Sequence, residues 1–216
     1  MFIYYLFFSE VLELVFVISF WIKYEYLTFS LMTIGLYFGT QTGKTETVCG
    51  YIKDEFGDLV ADPIDVSEKD LVDFPNFDAI ICGIPTWNTG ALELRSGTAW
   101  DQLLEKIGGL DLKGKPVAIF GLGDSVGYGE DFVDAMEELH RYFEKAGAKM
   151  IGYVSLDGYD AFTSSRCLIP HLNEITKPGD GMKFCGLPVD EDSEGELTEA
   201  RVKNWCAQLK SEMGLK

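Results

Sequence analysis

Hydroxyl and amide side chains crowd one short loop of the sequence, directly after an uncharged run that ends at Gly39. A helical pattern begins within this loop, since Val48, Ile52 and Phe56 recur on one helix face. The free N–H groups and the positive dipole end of a helix N-terminus favour an anion, and threonine hydroxyls supply further donors. We therefore predict a phosphate site in the loop, formed by Thr40, Gln41, Thr42, Gly43, Lys44 and Thr45.

A nucleoside triphosphate loop is the obvious alternative for this segment. That pattern needs one more residue between its first glycine and its Gly-Lys-Thr than the chain has between Gly39 and Gly43, and Phe38 stands where the earlier glycine should be. The triphosphate interpretation therefore fails, and a loop of neutral donors suits the terminal phosphate of a monoester. The structural alternative is an ordinary threonine-rich turn between a strand and a helix.

A second candidate loop follows an uncharged run, residues 78–83, that is typical of a buried parallel strand. It places Trp87 at the carboxyl end of the strand, where open α/β sheets bind ligands. We expect the indole to face a ligand; the alternative is that it folds back into the core. The candidate residues are Pro85, Thr86, Trp87, Asn88, Thr89 and Gly90.

A third candidate loop, residues 121–129, is rich in glycine and contains the aromatic residue Tyr128. Its third glycine is displaced by one position from the dinucleotide pattern, so we discount nicotinamide binding. Glycines around one tyrosine instead favour a backbone that passes close to a flat ligand while the ring faces it. The candidates in and next to this loop are Gly121, Leu122, Gly123, Asp124, Tyr128 and Asp131.

Alternating strands and helices must position these loops. Helices are predicted at residues 44–56, 96–107, 130–146 and 198–213, and strands at 33–38, 59–61, 78–83, 117–120 and, as two halves, 150–156 and 183–189. Residues 161–182, rich in Pro and Gly, read as a loop insertion that splits the fifth strand. The pattern predicts a doubly wound parallel sheet of five strands in the order 2-1-3-4-5.

The charge and cysteine content of the chain exclude some classes of function and favour others. The 216 residues contain 18 Lys plus Arg against 35 Asp plus Glu, a net charge of -17 that argues against nucleic acid and anionic membranes and favours a basic protein partner. Five scattered cysteines without a C-x-x-C pair indicate neither a disulfide framework nor a zinc site. We expect His140 and His171 to lie on the surface, and most of the acids at 130, 131, 134 and 137 to form a solvated helix face.

Residues 1–31 differ from the rest of the chain. They are rich in aromatic residues, and their apolar run, residues 11–22, is interrupted by Glu13 and is shorter than the roughly 20 residues that span a bilayer. A basic segment and a cleavage site of small residues, which a secretory signal needs, are missing. Our hypothesis is that residues 1–31 are a hydrophobic extension outside the fold and that the functional domain is 32–216.

Five motifs occur in order along the chain: residues 33–47, Pro85-Thr86-Trp87-Asn88, 121–129, Asp157-Gly158-Tyr159-Asp160 and 186–192. Together they resemble the long-chain flavodoxins of cyanobacteria and algae. The resemblance implies a flavodoxin-like α/β fold and a low-potential one-electron carrier, not an enzyme, that uses bound FMN. Such a carrier shuttles between semiquinone and hydroquinone and substitutes for ferredoxin under iron limitation, as in photosynthesis.

The resemblance also implies roles for individual residues. The loop from Thr40 to Thr45 would enclose the FMN phosphate, and Trp87 and Tyr128 would stack on the two ring faces. The residues expected to line the ribityl chain and ring edges are Thr86, Asn88, Thr89, Gly123, Asp124, Asp131 and Asp190, with Pro85, Gly90, Gly121 and Leu122 beside them.

Partners and location are implied in the same way. We expect a monomer that docks on basic surfaces of redox proteins such as ferredoxin-NADP reductase and photosystem I, in the cytoplasm or, in a eukaryote, the plastid stroma. The alternative function is an FMN-dependent NAD(P)H:quinone reductase of the same fold. A receiver-type signalling module would need paired acids after the first strand, where the chain has Gly39, Thr40 and Gln41.

Overall fold

A parallel sheet forms the centre of the molecule in the computed structural model, which describes residues 32–69 and 71–215. The predicted extension, residues 1–31, lies outside the described residues, so that hypothesis stays a prediction. The central strands are the uncharged runs of the sequence, β1 (Ile34–Phe38), β3 (Ala79–Pro85) and β4 (Pro116–Leu122). They are buried on both faces, which is why they carry no charge.

The strand order is β2-β1-β3-β4-β5, and this confirms the predicted topology. The edge strand β2 (Ile64–Asp65) pairs with the end of β1. We predicted that strand at residues 59–61, which is wrong: Val60 makes only an isolated bridge to Ile34, and the ladder forms after Pro63. A 3₁₀ turn, Leu71–Asn76, leads from β2 to β3.

The fifth strand is split, as predicted. Its first part, β5 (Lys149–Ile151), pairs with the beginning of β4. Its second part, β9 (Leu187–Val189), pairs with the end of β4, in register from Phe120 to Leu122. The intervening residues therefore leave the sheet and return to it beside the same neighbour.

The predicted bounds of the two halves, 150–156 and 183–189, are too wide, because residues 154–155 and 183–184 are outside the parallel sheet, and the predicted loop at 161–182 contains a short strand. Three short strands, β6 (Val154–Ser155), β7 (Leu168–Ile169) and β8 (Lys183–Phe184), form a second, antiparallel sheet in the order β6-β8-β7. It is stabilised by an aromatic cluster in which the ring of Phe184 lies 5.1 Å from that of Phe162 and 6.1 Å from that of Phe132. These rings belong to the same hydrophobic core as Ile119 of β4, so the insertion packs against the rest of the fold.

Among the described residues, four helices cover the sheet: α1 (Lys44–Phe56), α2 (Trp100–Gly108), α3 (Ala135–Lys145) and α4 (Gly195–Glu212). Helix α1 packs against α4, and α2 packs against α3. Because Gly57 and Gly147 adopt positive φ angles of 58° and 83°, they end α1 and α3 where the sequence predicted.

Two helices begin later than predicted. Residues 96–99, expected to be helical, form a turn in which the Asp101 carboxylate accepts hydrogen bonds from the N–H groups of Ser96 and Gly97 at 3.2 and 3.0 Å. Residues 130–134 are also outside the helix, because Val133 has a φ of 55°, which a right-handed helix does not allow. Both turns face the carboxyl end of the sheet.

Candidate functional site

A cleft of about 240 Å³ opens at the carboxyl ends of β1, β3 and β4. All three predicted loops contribute to it, together with the residues that follow β9. Its lining consists of Thr40, Thr42, Lys44, Thr45, Pro85, Thr86, Trp87, Thr89, Leu122, Gly123, Asp124, Tyr128, Asp131, Glu191 and Asp192.

The first loop presents the beginning of α1 to the cleft. Gly43 precedes the helix with a φ of 83°, and its N–H donates to the Thr40 hydroxyl at 2.9 Å. No side chain caps the first turn of the helix. The N–H groups of that turn have no partner within the helix, so they are available to an anion beside the threonine hydroxyls.

Two large aromatic side chains stand in the cleft and face solvent. Trp87 is 48% exposed and Tyr128 is 59% exposed, although both belong to residue types that usually lose most of their surface on folding. The alternative that Trp87 folds back into the core is therefore wrong. Rings held open on neighbouring loops suit a flat ligand that lies between them.

The Trp87 loop, residues 86–95, is closed by hydrogen bonds between its two ends. The N–H groups of Trp87 and Asn88 both donate to the carbonyl oxygen of Arg95, at 3.1 and 3.0 Å. The Asn88 side-chain amide donates to the carbonyl oxygen of Leu94 at 2.7 Å. At the start of the loop, the Thr86 hydroxyl accepts from the N–H of Ala135, the first residue of α3, at 3.1 Å.

The Tyr128 loop, residues 123–131, is closed differently, by contacts within itself and with the chain after β9. The Asp124 carboxylate accepts from the N–H groups of Val126 and Gly127 at 3.1 and 2.7 Å. The N–H of Tyr128 donates to the Asp124 carbonyl oxygen at 3.0 Å. A side chain at Gly129 would approach the Ser125 carbonyl oxygen to 2.5 Å, so only glycine fits there.

Asp190 accepts hydrogen bonds from the Tyr128 loop and does not line the cleft. Its buried carboxylate accepts from the N–H and hydroxyl of Ser125 at 2.8 and 2.6 Å, and from the N–H groups of Asp192 and Ser193 at 2.9 and 2.8 Å. Burial alone would raise the pKa of Asp190, but these hydrogen bonds hold it below its usual value. The expected contact of Asp190 with the ribityl hydroxyls stays a prediction.

Other predicted residues also lie outside the lining. The Gln41 amide donates to the carbonyl oxygen of Gly97, and Gly121 is buried within β4. Gly43, Asn88 and Gly90 shape the loops at the positions described or next to them. The structure instead adds Glu191 and Asp192 to the cleft, and the signal that could have found them was the run of three acids from 190 to 192.

A buried ionic cluster lies behind the Trp87 loop and comprises Arg95, Asp134, Glu137 and Glu138, each 1% exposed. The Arg95 guanidinium pairs with Glu137 and lies 3.8 Å from the Glu138 carboxylate. The Asp134 carboxylate accepts from the N–H of Arg166 at 2.7 Å. Our expectation that Asp134 and Glu137 lie on a solvated helix face is therefore wrong.

Burial shifts the pKa of two acids in this cluster. It raises the pKa of Asp134 to about 6, although Arg166 and Arg95 oppose the shift, and it also raises the pKa of Glu138. His140, on the next turn of α3, is buried as well, so its predicted surface position is wrong. Burial lowers the pKa of His140 to about 4, and its Nε2 lies 3.1 Å from the Tyr153 hydroxyl.

The structure describes the positions of the cysteines. All five are free and buried, and burial raises the pKa of the Cys206 thiol to about 12. Among residues 32–69 and 71–215, no group of His, Cys, Asp and Glu side chains is arranged to hold a metal ion. Over the same residues, no helix has the length and apolar character that crossing a membrane requires.

Comparison with known proteins gives one consistent family. The family model described as Flavodoxin matches residues 36–205. A flavodoxin of Nostoc sp. is 44% identical over 182 residues, covering 84% of this chain and 98% of the relative. A flavodoxin of Synechocystis sp. is 42% identical, covering 82% and 95%, and flavodoxin 2 of Escherichia coli (strain K12) is 36% identical, covering 84% and 97%.

A solved structure agrees with these relatives. The crystal structure of Fusobacterium nucleatum flavodoxin bound to flavin mononucleotide superposes with a TM-score of 0.68 at 30% identity, covering 83% of this chain and 98% of that one. The similarity therefore covers more than four fifths of this chain.

Proposed function

Because this chain belongs to the flavodoxin family and is an FMN-based electron-transfer protein rather than an enzyme, we propose that it is a low-potential carrier that substitutes for ferredoxin. Bound FMN supplies the one-electron chemistry. The chain's own residues hold the cofactor, shield its ring and set the charge around it.

The residues of the cleft fit FMN. The proposal rests on one observation, the pair of exposed rings, Trp87 and Tyr128, beside the uncapped N-terminus of α1. A flat ring system requires apolar faces on both sides, and a phosphate tail requires donors at one end. Thr40, Thr42 and Thr45 line that end of the cleft.

Charge around the cleft supports a low potential. Its lining includes the carboxylates of Asp124, Asp131, Glu191 and Asp192 but only one cation, Lys44, among the described residues. That cation is already paired, since Lys44 Nζ lies 2.5 Å from the Asp192 carboxylate. Each electron added in this cleft meets negative charge, which opposes reduction and makes the reduced protein a strong donor.

The partners that we propose are redox proteins with basic docking surfaces, such as ferredoxin-NADP reductase and photosystem I. The net charge of -17 steers a monomeric carrier toward such surfaces, in the cytoplasm or a plastid stroma. Electron-transfer encounters are small and transient, so electron transfer to a basic partner should slow as salt screens the attraction.

Anaerobic reductive titration of the purified protein, followed by absorbance, tests the proposal. We expect flavin absorbance and two separated one-electron steps, the second at the lower potential. The holoprotein should also pass electrons from ferredoxin-NADP reductase to a ferredoxin-dependent acceptor. A single two-electron step, or steady NADH oxidation by the protein alone, would contradict it and favour a quinone reductase.

A further inference from the structure

Leu94 and Arg95 form a bridge between helix α3 and the residues that present the indole. On one side, their carbonyl oxygens accept the hydrogen bonds from the backbone of Trp87 and Asn88 and from the Asn88 amide. On the other side, both of their N–H groups point at a single side chain of α3, that of Glu138. The position of the indole therefore depends on a residue more than 40 positions away in the sequence.

The Glu138 carboxylate uses both oxygens in this bridge. Oε1 accepts from the N–H of Leu94 at 2.7 Å, and Oε2 accepts from the N–H of Arg95 at 2.9 Å. A carboxylate that accepts from two adjacent backbone N–H groups fixes both the place and the orientation of that peptide segment. Because Glu138 is 1% exposed, water does not compete for these bonds.

The Arg95 side chain supplies the positive charge that such a buried carboxylate needs. It extends from the bridge into the protein, where its guanidinium donates to Glu137 and lies 3.8 Å from Glu138. An unpaired carboxylate in this position would be costly, and the Arg95 guanidinium offsets part of that cost. Arg141, which is partly exposed, adds a hydrogen bond to Glu137 at 3.1 Å.

We propose that Arg95 and Glu138 are positioning residues for the FMN site: they clamp the Trp87 loop to α3 and thereby set FMN affinity and the one-electron potentials. Neither side chain is among those that line the cleft. Each acts through the backbone of residues 94–95, which holds Trp87 and Asn88 in place. The clamp rests on the proposed cofactor site for its effect on FMN, but its effect on the loop is independent of FMN.

Glu138→Gln is the decisive variant, because glutamine keeps the shape but replaces one acceptor oxygen with a donor. We expect amide hydrogen exchange of Trp87 and Asn88 in the FMN-free protein to accelerate on the order of tenfold. The FMN dissociation constant should rise by about tenfold, and both one-electron potentials should shift. Arg95→Lys, which keeps the charge but loses the guanidinium fork, should give smaller changes of the same sign.

Two control variants separate positioning from general damage. Phe143→Leu weakens the packing of the same helix, where the ring lies 6.0 Å from that of Phe74, and Glu199→Gln makes the same chemical change at an exposed position of α4. In both control variants, the amide exchange rates of Trp87 and Asn88 and the FMN dissociation constant should equal those of the wild type. An equal rise in the dissociation constant in Phe143→Leu would overturn the proposal.

The wild-type protein provides a second test that needs no variant. Without FMN, the amides of Trp87, Asn88, Leu94 and Arg95 should all be protected from exchange, because the clamp is formed before the cofactor binds. Fast exchange at these four positions in the FMN-free protein would overturn the clamp even if FMN binds well. Failure to take up FMN, with the four amides protected, would instead contradict the effect that we propose on affinity and potential.

Discussion

The two loops that present the aromatic rings are built on different physical principles. The Trp87 loop is held by the Glu138 carboxylate of α3 and the buried ionic cluster around it. The Tyr128 loop is held by the Asp124 turn within it and by the hydrogen bonds from Ser125 to Asp190, which follows β9. One loop thus relies on charge compensation in a buried ionic cluster, and the other on hydrogen bonds that saturate one buried carboxylate.

Glycine serves the two loops in different ways. In the Trp87 loop and just after it, Gly90 and Gly97 adopt φ angles of 73° and 63°, where glycine is favoured for its backbone freedom. In the Tyr128 loop the φ of Gly129 is ordinary, and the absence of a side chain matters because the backbone of Ser125 is so close. Glycine is therefore needed for its backbone conformation in one loop and for its lack of a side chain in the other.

The largest effect of a substitution on stability is expected at Asp190, which holds the Tyr128 loop. Replacing it by alanine leaves several buried donors without a partner, so we expect Asp190→Ala to lower the free energy of unfolding by about 3 kcal/mol. Urea unfolding of the FMN-free protein measures this. Asp180→Ala, at an exposed position of the insertion, is the control and should change little. A loss below about 1 kcal/mol for Asp190→Ala would show that the Tyr128 loop does not depend on that carboxylate.

The next largest effect should come from the rings. Trp87→Ala should raise the FMN dissociation constant by about tenfold, because stacking on one face is lost. Tyr128→Ala should have a similar but smaller effect. Since both side chains are largely exposed, unfolding of the FMN-free variants should match the wild type. Fluorescence titration with FMN measures the affinities, and an unchanged affinity in Trp87→Ala would mean that the indole does not contact the cofactor.

As the pH falls, the acids that belong to the two loops should change the free energy of unfolding in opposite directions. Burial raises the pKa of Asp134 in the ionic cluster to about 6, so the folded state binds its proton more tightly than the unfolded state does. Between pH 6 and 4, wild type should therefore gain about 1 kcal/mol relative to Asp134→Asn as the pH falls.

Asp190 should show the opposite sign. Because hydrogen bonds keep its pKa below the usual value, its stabilisation is present above about pH 4 and is lost below it. Wild type should lose stability relative to Asp190→Asn as the pH falls below about 4. Urea unfolding at a series of pH values measures both differences. If the free energy of unfolding of wild type changed with pH in the same way relative to Asp134→Asn as relative to Asp190→Asn, the two loops would not differ in their electrostatics.

The smallest expected effect concerns backbone strain in the Trp87 loop. Leu94 has a φ of 60°, which is unfavourable for a leucine, and its side chain is 49% exposed. Leu94→Asn should stabilise the protein by about 0.5 kcal/mol, since asparagine tolerates this conformation better. Gly129→Ala in the other loop should be destabilising. A loss of stability in Leu94→Asn would show that the leucine side chain contributes more than its backbone angle suggests.

The sequence predicted the fold and most of the cleft because their signals are local. An uncharged run that stops at a glycine and turns into a helix shows where a strand ends, and strands that alternate with helices end at the same edge of a sheet. Thr40, Trp87 and Tyr128 follow such runs, so their meeting in one cleft could be expected. Helix beginnings were less accurate, because the positive φ of Val133 has no signal in the sequence.

The sequence by itself thus determined the strand order, the loops and the rings that face the cleft. Only the tertiary structure decided which charged residues are buried. In the sequence, Glu137 and Glu138 have the pattern of solvent-facing acids in a helix. Their burial is tolerated because the Arg95 side chain, from another part of the chain, lies next to both carboxylates. Hydrogen bonds and charge compensation over such separations depend on which elements pack together, and no short stretch of sequence contains that information.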